Sequence, residues 1–152
     1  KENLGKTIFG HIGLLESAAL VADGLDMKPD KISQWIEPMI AETAISSDYL
    51  SVNVGEVMGM RQIARCFKGD EECVNLEIQF YLGAPDQRDE ILIDGKSRID
   101  VTIKDGIFGD PATVAILINS IPSVVKATPG LLTPTGKSVS DIMWQCSFDC
   151  GY

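Results

Sequence analysis

The fold is decided by the stretch Gly59-Met60-Arg61-Gln62-Ile63-Ala64-Arg65-Cys66-Phe67 and by Cys73-Val74-Asn75-Leu76-Glu77-Ile78-Gln79-Phe80-Tyr81-Leu82, which follows it closely. In the second stretch Leu76, Ile78 and the apolar residues after them at even positions alternate with Asn75, Glu77, Gln79 and Tyr81. This period of two is typical of a strand with one face on the core and the other in water. We therefore predict a β-hairpin.

Further strands are expected on both sides of this hairpin. Residues 34–41 favour a strand that Pro38 restricts to a sheet edge or a bulge, and residues 42–56 are polar and irregular. Ile91–Lys96, followed by apolar residues at 99, 101 and 103, indicates a second hairpin. In it, Asp94-Gly95 supplies the positive φ angles that a tight turn requires.

Two helices enclose these strands. Apolar residues recur with helical spacing from Ile12 to Leu25, and glycine and proline stop signals follow. Asp110-Pro111 predicts a second helix with aspartate as N-cap and proline at the first helical position, an apolar stripe that packs on a sheet, and a kink at Pro122. Hairpins between two helices predict an α+β fold, a two-layer domain in which a mixed or mostly antiparallel sheet packs against helices.

Size and charge limit the functions that are open to the chain. We expect one domain over residues 1–133 and a tail, 134–152, whose apolar residues form an edge strand or a subunit contact. The net charge of −9 disfavours nucleic acid and anionic membranes as partners. No apolar run approaches the ~20 residues of a membrane span, and no leader precedes the fold, so a cytoplasmic protein is expected.

The four cysteines allow two interpretations. Cys66 with Cys73 and Cys146 with Cys150 form two pairs whose thiolates could together hold zinc. Neither spacing is a tight Cys-x2-Cys knuckle, and free buried thiols are common, so we predict no metal site.

The candidate site centres on His11, the only histidine, in Phe9-Gly10-His11-Ile12-Gly13-Leu14. Glycines allow the backbone to turn sharply and approach a ligand, and a helix N-terminus offers free N–H groups. A neutral imidazole there suits acid–base chemistry near neutral pH. The alternative is structural: His11 caps the helix or makes a structural hydrogen bond.

Six motifs in a fixed order resemble a known family over about Thr7 to Thr133. They begin with the His11 segment and continue with Gly59-Met60-Arg61-Gln62, Tyr81 to Ile91, Ile93-Asp94-Gly95, Gly106-Ile107-Phe108-Gly109-Asp110 and Asn119-Ser120-Ile121-Pro122. The chain resembles the C-terminal domain of 2,4-diaminopentanoate dehydrogenases, which are similar in architecture to dihydrodipicolinate reductase. The adjacent histidines, nearby lysine and Ser-Gly-Thr segment of the reductase branch are absent from this sequence.

The resemblance implies the substrate-binding and oligomerisation domain of an NAD(P)-dependent oxidoreductase acting on CH–NH2 groups. In such an enzyme hydride leaves a diamino acid such as 2,4-diaminopentanoate for the nicotinamide, and the resulting imine loses ammonia. NAD or NADP would be bound by an N-terminal Rossmann domain, because this sequence has no Gly-x-Gly-x-x-Gly after a strand and no Walker-type loop. We expect the chain to be inactive alone and to form a homo-oligomer. The alternative is a stand-alone α+β binding or dimerisation module without catalysis.

This reaction assigns roles to several side chains besides His11, the candidate base. The second ammonium group of the substrate needs a carboxylate, for which Glu16, Asp86 and Asp110 are candidates, with Asp89 and Glu90 beside them. Helix capping by Asp110 and solvated turn positions for Asp86 and Asp89 are the structural alternatives. A carboxylate on the substrate needs a guanidinium, from Arg61, Arg65 or Arg88, and Arg61 is preferred for its motif. Because Arg61 and Arg65 share a strand face, a cross-strand ion-pair ladder is their alternative.

Overall fold

The computed structural model describes residues 10–134 and the strand Ser147–Phe148. The chain divides into two compact units, Lys1–Gly83 with Gly130–Tyr152 and Ala84–Pro129. The first unit contains α1 (Leu14–Gly24), β1 (Lys31–Ile40), β2 (Ile45–Ser46), β3 (Ser51–Val52), β4 (Val57–Lys68), β5 (Glu71–Tyr81) and β8 (Ser147–Phe148). The second contains β6 (Arg88–Ile93), β7 (Ile99–Lys104) and α2 (Gly109–Lys126). Helices and sheets of this kind confirm the predicted α+β class.

The main sheet of the first unit has the strand order β5-β4-β1-β8. The predicted hairpin is confirmed as β4 and β5, which pair antiparallel from Gly59 opposite Tyr81 to Lys68 opposite Glu71. β1 pairs antiparallel with β4 along its length, whereas parallel β8 covers only Lys31 and Ile32. In the described structure β1 therefore has a free side at Pro38, as a residue without an N–H requires. The tail contributes an edge strand through Ser147–Phe148.

One face of this sheet is covered by α1, which begins and ends close to the predicted bounds. Ala18 and Ala22 are fully buried, and they form the core with Leu14, Ile32, Ala64, Cys66 and Val74. The alanines have small side chains, so the helix lies close to the sheet. Full burial of each large aliphatic side chain in this core stabilises the fold by about 1.5–3 kcal/mol.

Gly59 is required by the close approach of β5. A Cβ at this position would overlap the carbonyl oxygen of Phe80 and the Cα of Tyr81, both of which are backbone atoms. At the other end of the hairpin the register shifts between Cys66 and Phe67, so that Cys73 is the extra residue of a β-bulge.

The prediction of an irregular segment at 42–56 is wrong, because β2 and β3 form a short antiparallel hairpin there. Polar side chains close its turn: the Ser47 hydroxyl accepts hydrogen bonds from the N–H groups of Tyr49 and Leu50, and the Ser46 and Ser51 hydroxyls lie 2.9 Å apart. Serines that bond the local backbone stabilise turns, so a polar composition does not exclude ordered structure.

The second unit contains the predicted second hairpin, but its turn differs. β6 and β7 pair from Arg88 opposite Lys104 to Ile93 opposite Ile99, which leaves residues 94–98 as the turn. Gly95 is not among the glycines with positive φ in the described ranges. The tight Asp-Gly turn was therefore a wrong prediction, because the ladder ends at Ile93 and a longer loop needs no such angles.

Helix α2 also departs from two predictions. Phe108 is the N-cap and Gly109 the first helical residue, so Asp110 lies inside the first turn and caps nothing with its side chain. Pro111 is accordingly the third helical residue. An N–H at that position would have no acceptor within the helix, so a proline, which lacks the N–H, is tolerated there. Of the residues that the structure describes in α2, none is buried, which contradicts the predicted packing of its stripe on a sheet. The helix continues through Pro122 to Lys126.

Within the described ranges neither helix has the length and apolar character needed to cross a membrane.

Candidate functional site

The segment before α1 is held against the sheet by Gln62, a side chain of β4. Gln62 follows the same strand face as Ala64 and Cys66, which contact α1, but it lies under Gly10 and His11. The N–H of His11 donates to Gln62 Oε1 at 2.6 Å, and Gln62 Nε2 donates to the His11 carbonyl at 3.1 Å. That carbonyl also accepts the N–H of Leu14 at 3.0 Å, which starts the helix. The backbone of His11 is thus fixed from both sides.

The imidazole of His11 is exposed and directed by its own chain. Its Nδ1 accepts a hydrogen bond from the N–H of Gly13 at 3.2 Å. An accepting Nδ1 carries no proton, so the neutral ring carries its proton on Nε2. His11 therefore satisfies an N–H at the helix start, as its structural alternative expected, and presents Nε2–H to solvent or to a ligand. The sequence pattern predicted the place of this histidine but not its tautomer.

Gly10 allows this arrangement. A Cβ on residue 10 would lie 2.5 Å from Ile36 Cδ1 and 3.1 Å from Gln62 Oε1. A larger residue would require Ile36 or Gln62 to shift its side chain, so the glycine before His11 allows the segment to lie close to both.

Arg61 lies on the sheet face opposite to α1 and is engaged by two carboxylates. Its Nε and Nη2 donate to Glu77 at 2.8 and 2.6 Å, and Nη1 donates to Glu37 at 3.4 Å. The hydrogen bond to Glu77 raises the pKa of Arg61 above its usual value, so the guanidinium stays charged. The hydrogen bond from Arg61 lowers the pKa of Glu77, with a smaller contribution from Gln79. Three strands are thereby joined by the ion-pair ladder that was the alternative for Arg61.

Arg65 shares this face, as predicted, and stacks on an aromatic ring. Its Cζ lies 4.6 Å from the centroid of Trp35, and its Nε lies 3.1 Å from Glu72 Oε2. Between Arg61 and Arg65, Ile63 is only 2% exposed. The long side chains around Ile63 exclude water from an apolar residue on a charged face.

The remaining candidates fall into two groups. Glu16 is exposed in the first turn of α1, the helix that follows His11. Asp86, Arg88, Asp89 and Asp110 belong to the second unit. There Arg88 bonds Asp86 at 3.0 Å and Glu90 at 2.6 Å, and Asp89 accepts the N–H of Ile107 at 2.7 Å. Asp89 thus holds the loop between β7 and α2.

Two of the four cysteines lie in the described part of the chain. Cys66 is buried, with its Sγ 3.6 Å from the Ala18 carbonyl, and the thiol of Cys73 donates to the Cys66 carbonyl at 3.4 Å. Cys146 and Cys150 lie outside the described residues. Within the described ranges, no group of three or more metal-ligating side chains comes together.

Sequence reasoning missed Gln62 and Gln34, whose Oε1 accepts the second Gln62 Nε2–H at 3.0 Å. The available signal was that Gln62 is polar, although the next two residues on the same face of its strand, Ala64 and Cys66, belong to the apolar core. A buried amide in such a row needs partners, and here His11 and Gln34 supply them.

Comparisons with known proteins give one consistent result. The sequence model of a protein family described as "2,4-diaminopentanoate dehydrogenase C-terminal domain" matches residues 3–146. A curated 2,4-diaminopentanoate dehydrogenase of Acetoanaerobium sticklandii is 28% identical over 138 residues, which cover 84% of this chain and 37% of that protein. The chain therefore spans little more than a third of the length of the relative it matches.

Proposed function

Because this chain belongs to the 2,4-diaminopentanoate dehydrogenase C-terminal domain family, we propose that it is the substrate-binding and oligomerisation domain of an NAD(P)-dependent dehydrogenase. The reaction is oxidative deamination of a diamino acid such as 2,4-diaminopentanoate. The observation that carries the proposal within the family is His11, an exposed imidazole whose backbone is fixed by Gln62 at the start of a helix.

His11 is the proposed proton-transfer residue. An amine must lose its proton before the adjacent C–H bond can be oxidised, which requires a base that works near neutral pH. In the tautomer set by Gly13, Nε2 donates a proton rather than accepts one. Taking a proton at Nε2 first requires the ring proton to move to Nδ1, which gives up one neutral hydrogen bond worth about 0.5–1.5 kcal/mol. This free-energy cost is smaller than the barrier reduction that corresponds to a rate acceleration of about 10²–10⁴ by a positioned proton-transfer group.

Glu16 is the proposed partner of the second ammonium group. It is exposed, lies in the first turn of the helix that His11 starts, and carries a negative charge in a chain of net charge −9. Asp86 and Asp110 remain candidates in the second unit, although Asp86 is already bonded to Arg88.

A substrate carboxylate would have to compete for the proposed arginines. Arg61 makes a bidentate bond to Glu77, and Arg88 is bonded to Asp86 and Glu90. Bidentate carboxylate binding is what a guanidinium does best, so an incoming carboxylate can take the place of Glu77 only by releasing it. Gln62 and His11 lie on the α1 side of the main sheet, whereas Arg61 lies on the opposite face, so a substrate bound at His11 does not reach Arg61. Arg88, in the second unit, remains the candidate for the substrate carboxylate.

The nicotinamide nucleotide is proposed to be bound outside this chain. The start of α1 does not fit a pyrophosphate, because the N–H groups of Gly13 and Leu14 are occupied by His11 and Glu16 places a negative charge in the first turn. A glycine-rich nucleotide fingerprint is also absent from the sequence. A Rossmann domain within the length of the relative that this chain does not span is the proposed partner.

We further propose a cytoplasmic homo-oligomer. Aliphatic side chains of α2 remain largely exposed, among them Ile116 at 70% and Val125 at 78%. Between Asp110 and Lys126 the helix carries no charge, so two copies of an acidic chain can meet there without facing like charges. The same surface is what favours the second candidate function, a stand-alone dimerisation module without catalysis.

A substrate panel on the complete enzyme tests the proposal. Reduction of NAD+ or NADP+ with release of ammonia should be fastest with 2,4-diaminopentanoate or a close diamino acid. A matched monoamino acid with the same carbon chain, 2-aminopentanoate, should react at least about tenfold more slowly, because it lacks the second ammonium group. Absence of turnover with every amine, together with a dimer in solution, would reject the enzyme and favour the module.

A further inference from the structure

We propose that Gln62 is a positioning residue for His11: its amide fixes the histidine backbone and so aims Nε2 of the imidazole. The catalytic consequence rests on the proposed function, but the positioning itself does not.

The argument begins with the pairing of the two residues. Gln62 Oε1 accepts from the His11 N–H, and Gln62 Nε2 donates to the His11 carbonyl, at 2.6 and 3.1 Å. An amide bonded in both directions to one residue imitates the pairing of neighbouring strands and fixes the position and the direction of the residue it binds. His11 precedes the helix and belongs to no strand, so the side chain replaces a strand partner.

Burial makes this pairing selective. Gln62 is 1% exposed, and its remaining N–H donates to Gln34 Oε1 at 3.0 Å. Both Nε2 hydrogens and Oε1 therefore have partners within the protein. If His11 moved away, a buried amide would lose its partners, which folded proteins strongly disfavour. Gln62 thus opposes displacement of His11.

The space around residue 10 supports the same conclusion independently. A Cβ on Gly10 would lie 3.1 Å from Gln62 Oε1 and 2.5 Å from Ile36 Cδ1. A side chain at residue 10 would require Ile36 or Gln62 to shift, and glycine avoids this. Gly10 allows the close approach, the buried amide of Gln62 pairs with the chain, and both keep the backbone of His11 in place.

The imidazole is then fixed at a second point. With its backbone held by Gln62 and its Nδ1 accepting from Gly13 at 3.2 Å, His11 has Nε2 as the one ring nitrogen left for a ligand. Loss of the first anchor should weaken the second, because the ring meets the Gly13 N–H only where the His11 backbone is held. Gln62 is therefore expected to fix the direction of the imidazole without touching the ring.

The experiment uses the single histidine as its own probe. In ¹⁵N spectra of the chain, His11 should be mostly the tautomer protonated at Nε2. Gln62→Met keeps the volume and removes every hydrogen bond, and it should move the backbone N–H and ring signals of His11 towards those of an unconstrained peptide. Gln34→Leu is the control, because it breaks a bond to the same Nε2 of Gln62 without contacting His11. It should leave the histidine signals unchanged.

Kinetics of the complete enzyme separates positioning from catalysis. Gln62→Met should lower kcat by about tenfold or more while KM changes by less than about threefold, since a displaced proton-transfer group affects the chemical step. Changed His11 signals with unchanged kcat support positioning and reject the catalytic role of His11. Unchanged His11 signals overturn the positioning inference, whatever happens to kcat.

A measurement on the unsubstituted chain covers the case in which Gln62→Met does not fold. The backbone N–H of His11 should exchange with solvent at least about a hundredfold more slowly than in an unstructured peptide, because its acceptor is buried. Exchange at the unstructured rate would overturn the inference.

Discussion

The structural part played by His11 can be separated from its chemistry by two substitutions. His11→Ala removes the acceptor of the Gly13 N–H, a 3.2 Å bond on an exposed side chain. A neutral hydrogen bond contributes about 0.5–1.5 kcal/mol, so we expect a loss of about 1 kcal/mol in the free energy of unfolding. The side chain of asparagine readily accepts from the N–H two residues further on, so His11→Asn should lose less than about 0.5 kcal/mol.

Urea unfolding followed by circular dichroism measures both values. With a slope of about 1–3 kcal/mol per molar urea, a loss of 1 kcal/mol moves the midpoint by roughly 0.3–1 M, which is readily resolved. The slope itself should be equal in all three proteins, because the bulk of the fold does not change. The reasoning is refuted if the His11→Asn variant is destabilised as much as the His11→Ala variant, since the hydrogen bond to the Gly13 N–H would then not be the source of the effect.

Three further substitutions test other parts of the structure. Gly59→Ala should cost about 3 kcal/mol or more in unfolding free energy, because its Cβ meets backbone atoms of β5; the control Gly24→Ala, with nothing within 4 Å, should not destabilise. Arg61 lowers the pKa of Glu77, so the stability this carboxylate contributes is present above its ordinary pKa of about 4.3 and is lost as pH falls through the lowered value. Glu77→Gln should therefore lose less stability than the parent chain between neutral and acidic pH, and an identical pH dependence would contradict the assignment. Arg61→Gln should leave KM within about threefold of the parent value, because Arg61 holds Glu77 and Glu37 on the sheet face opposite to His11; a KM raised about tenfold or more would instead place the substrate carboxylate on Arg61.

Local patterns predicted the first unit well. The period of two in residues 74–82 and the helical stripe of 12–25 each predict one face on a core, and β5 and α1 form there. Leu76 and Ile78 of β5 pack against the core that contains Ala64 and Cys66, whereas Phe80 on the same predicted face is 53% exposed. Such patterns succeed because the spacing of apolar residues along the chain determines which face of a strand or helix can be buried.

What the sequence could not predict depended on long-range partners. Arg61 had two interpretations, and only the register of three strands decides that Glu77 and Glu37 reach it. Gln62 could not be assigned to His11, because its acceptor and donor lie 51 residues away. In α2 the N-cap is Phe108 and not Asp110, although the side chain of Phe108 cannot cap and local preference favours aspartate, so local rules did not place this helix start.

The central claim is that His11 transfers the proton in the proposed oxidation, and kcat of His11→Asn in the complete enzyme tests it most directly. Asparagine keeps an acceptor for Gly13 and so keeps the helix start, but it neither takes nor gives a proton near neutral pH. We predict that kcat with 2,4-diaminopentanoate falls by about tenfold or more while the unfolding midpoint stays close to that of the parent. An unchanged kcat would contradict the account and leave His11 only its structural hydrogen bond to Gly13.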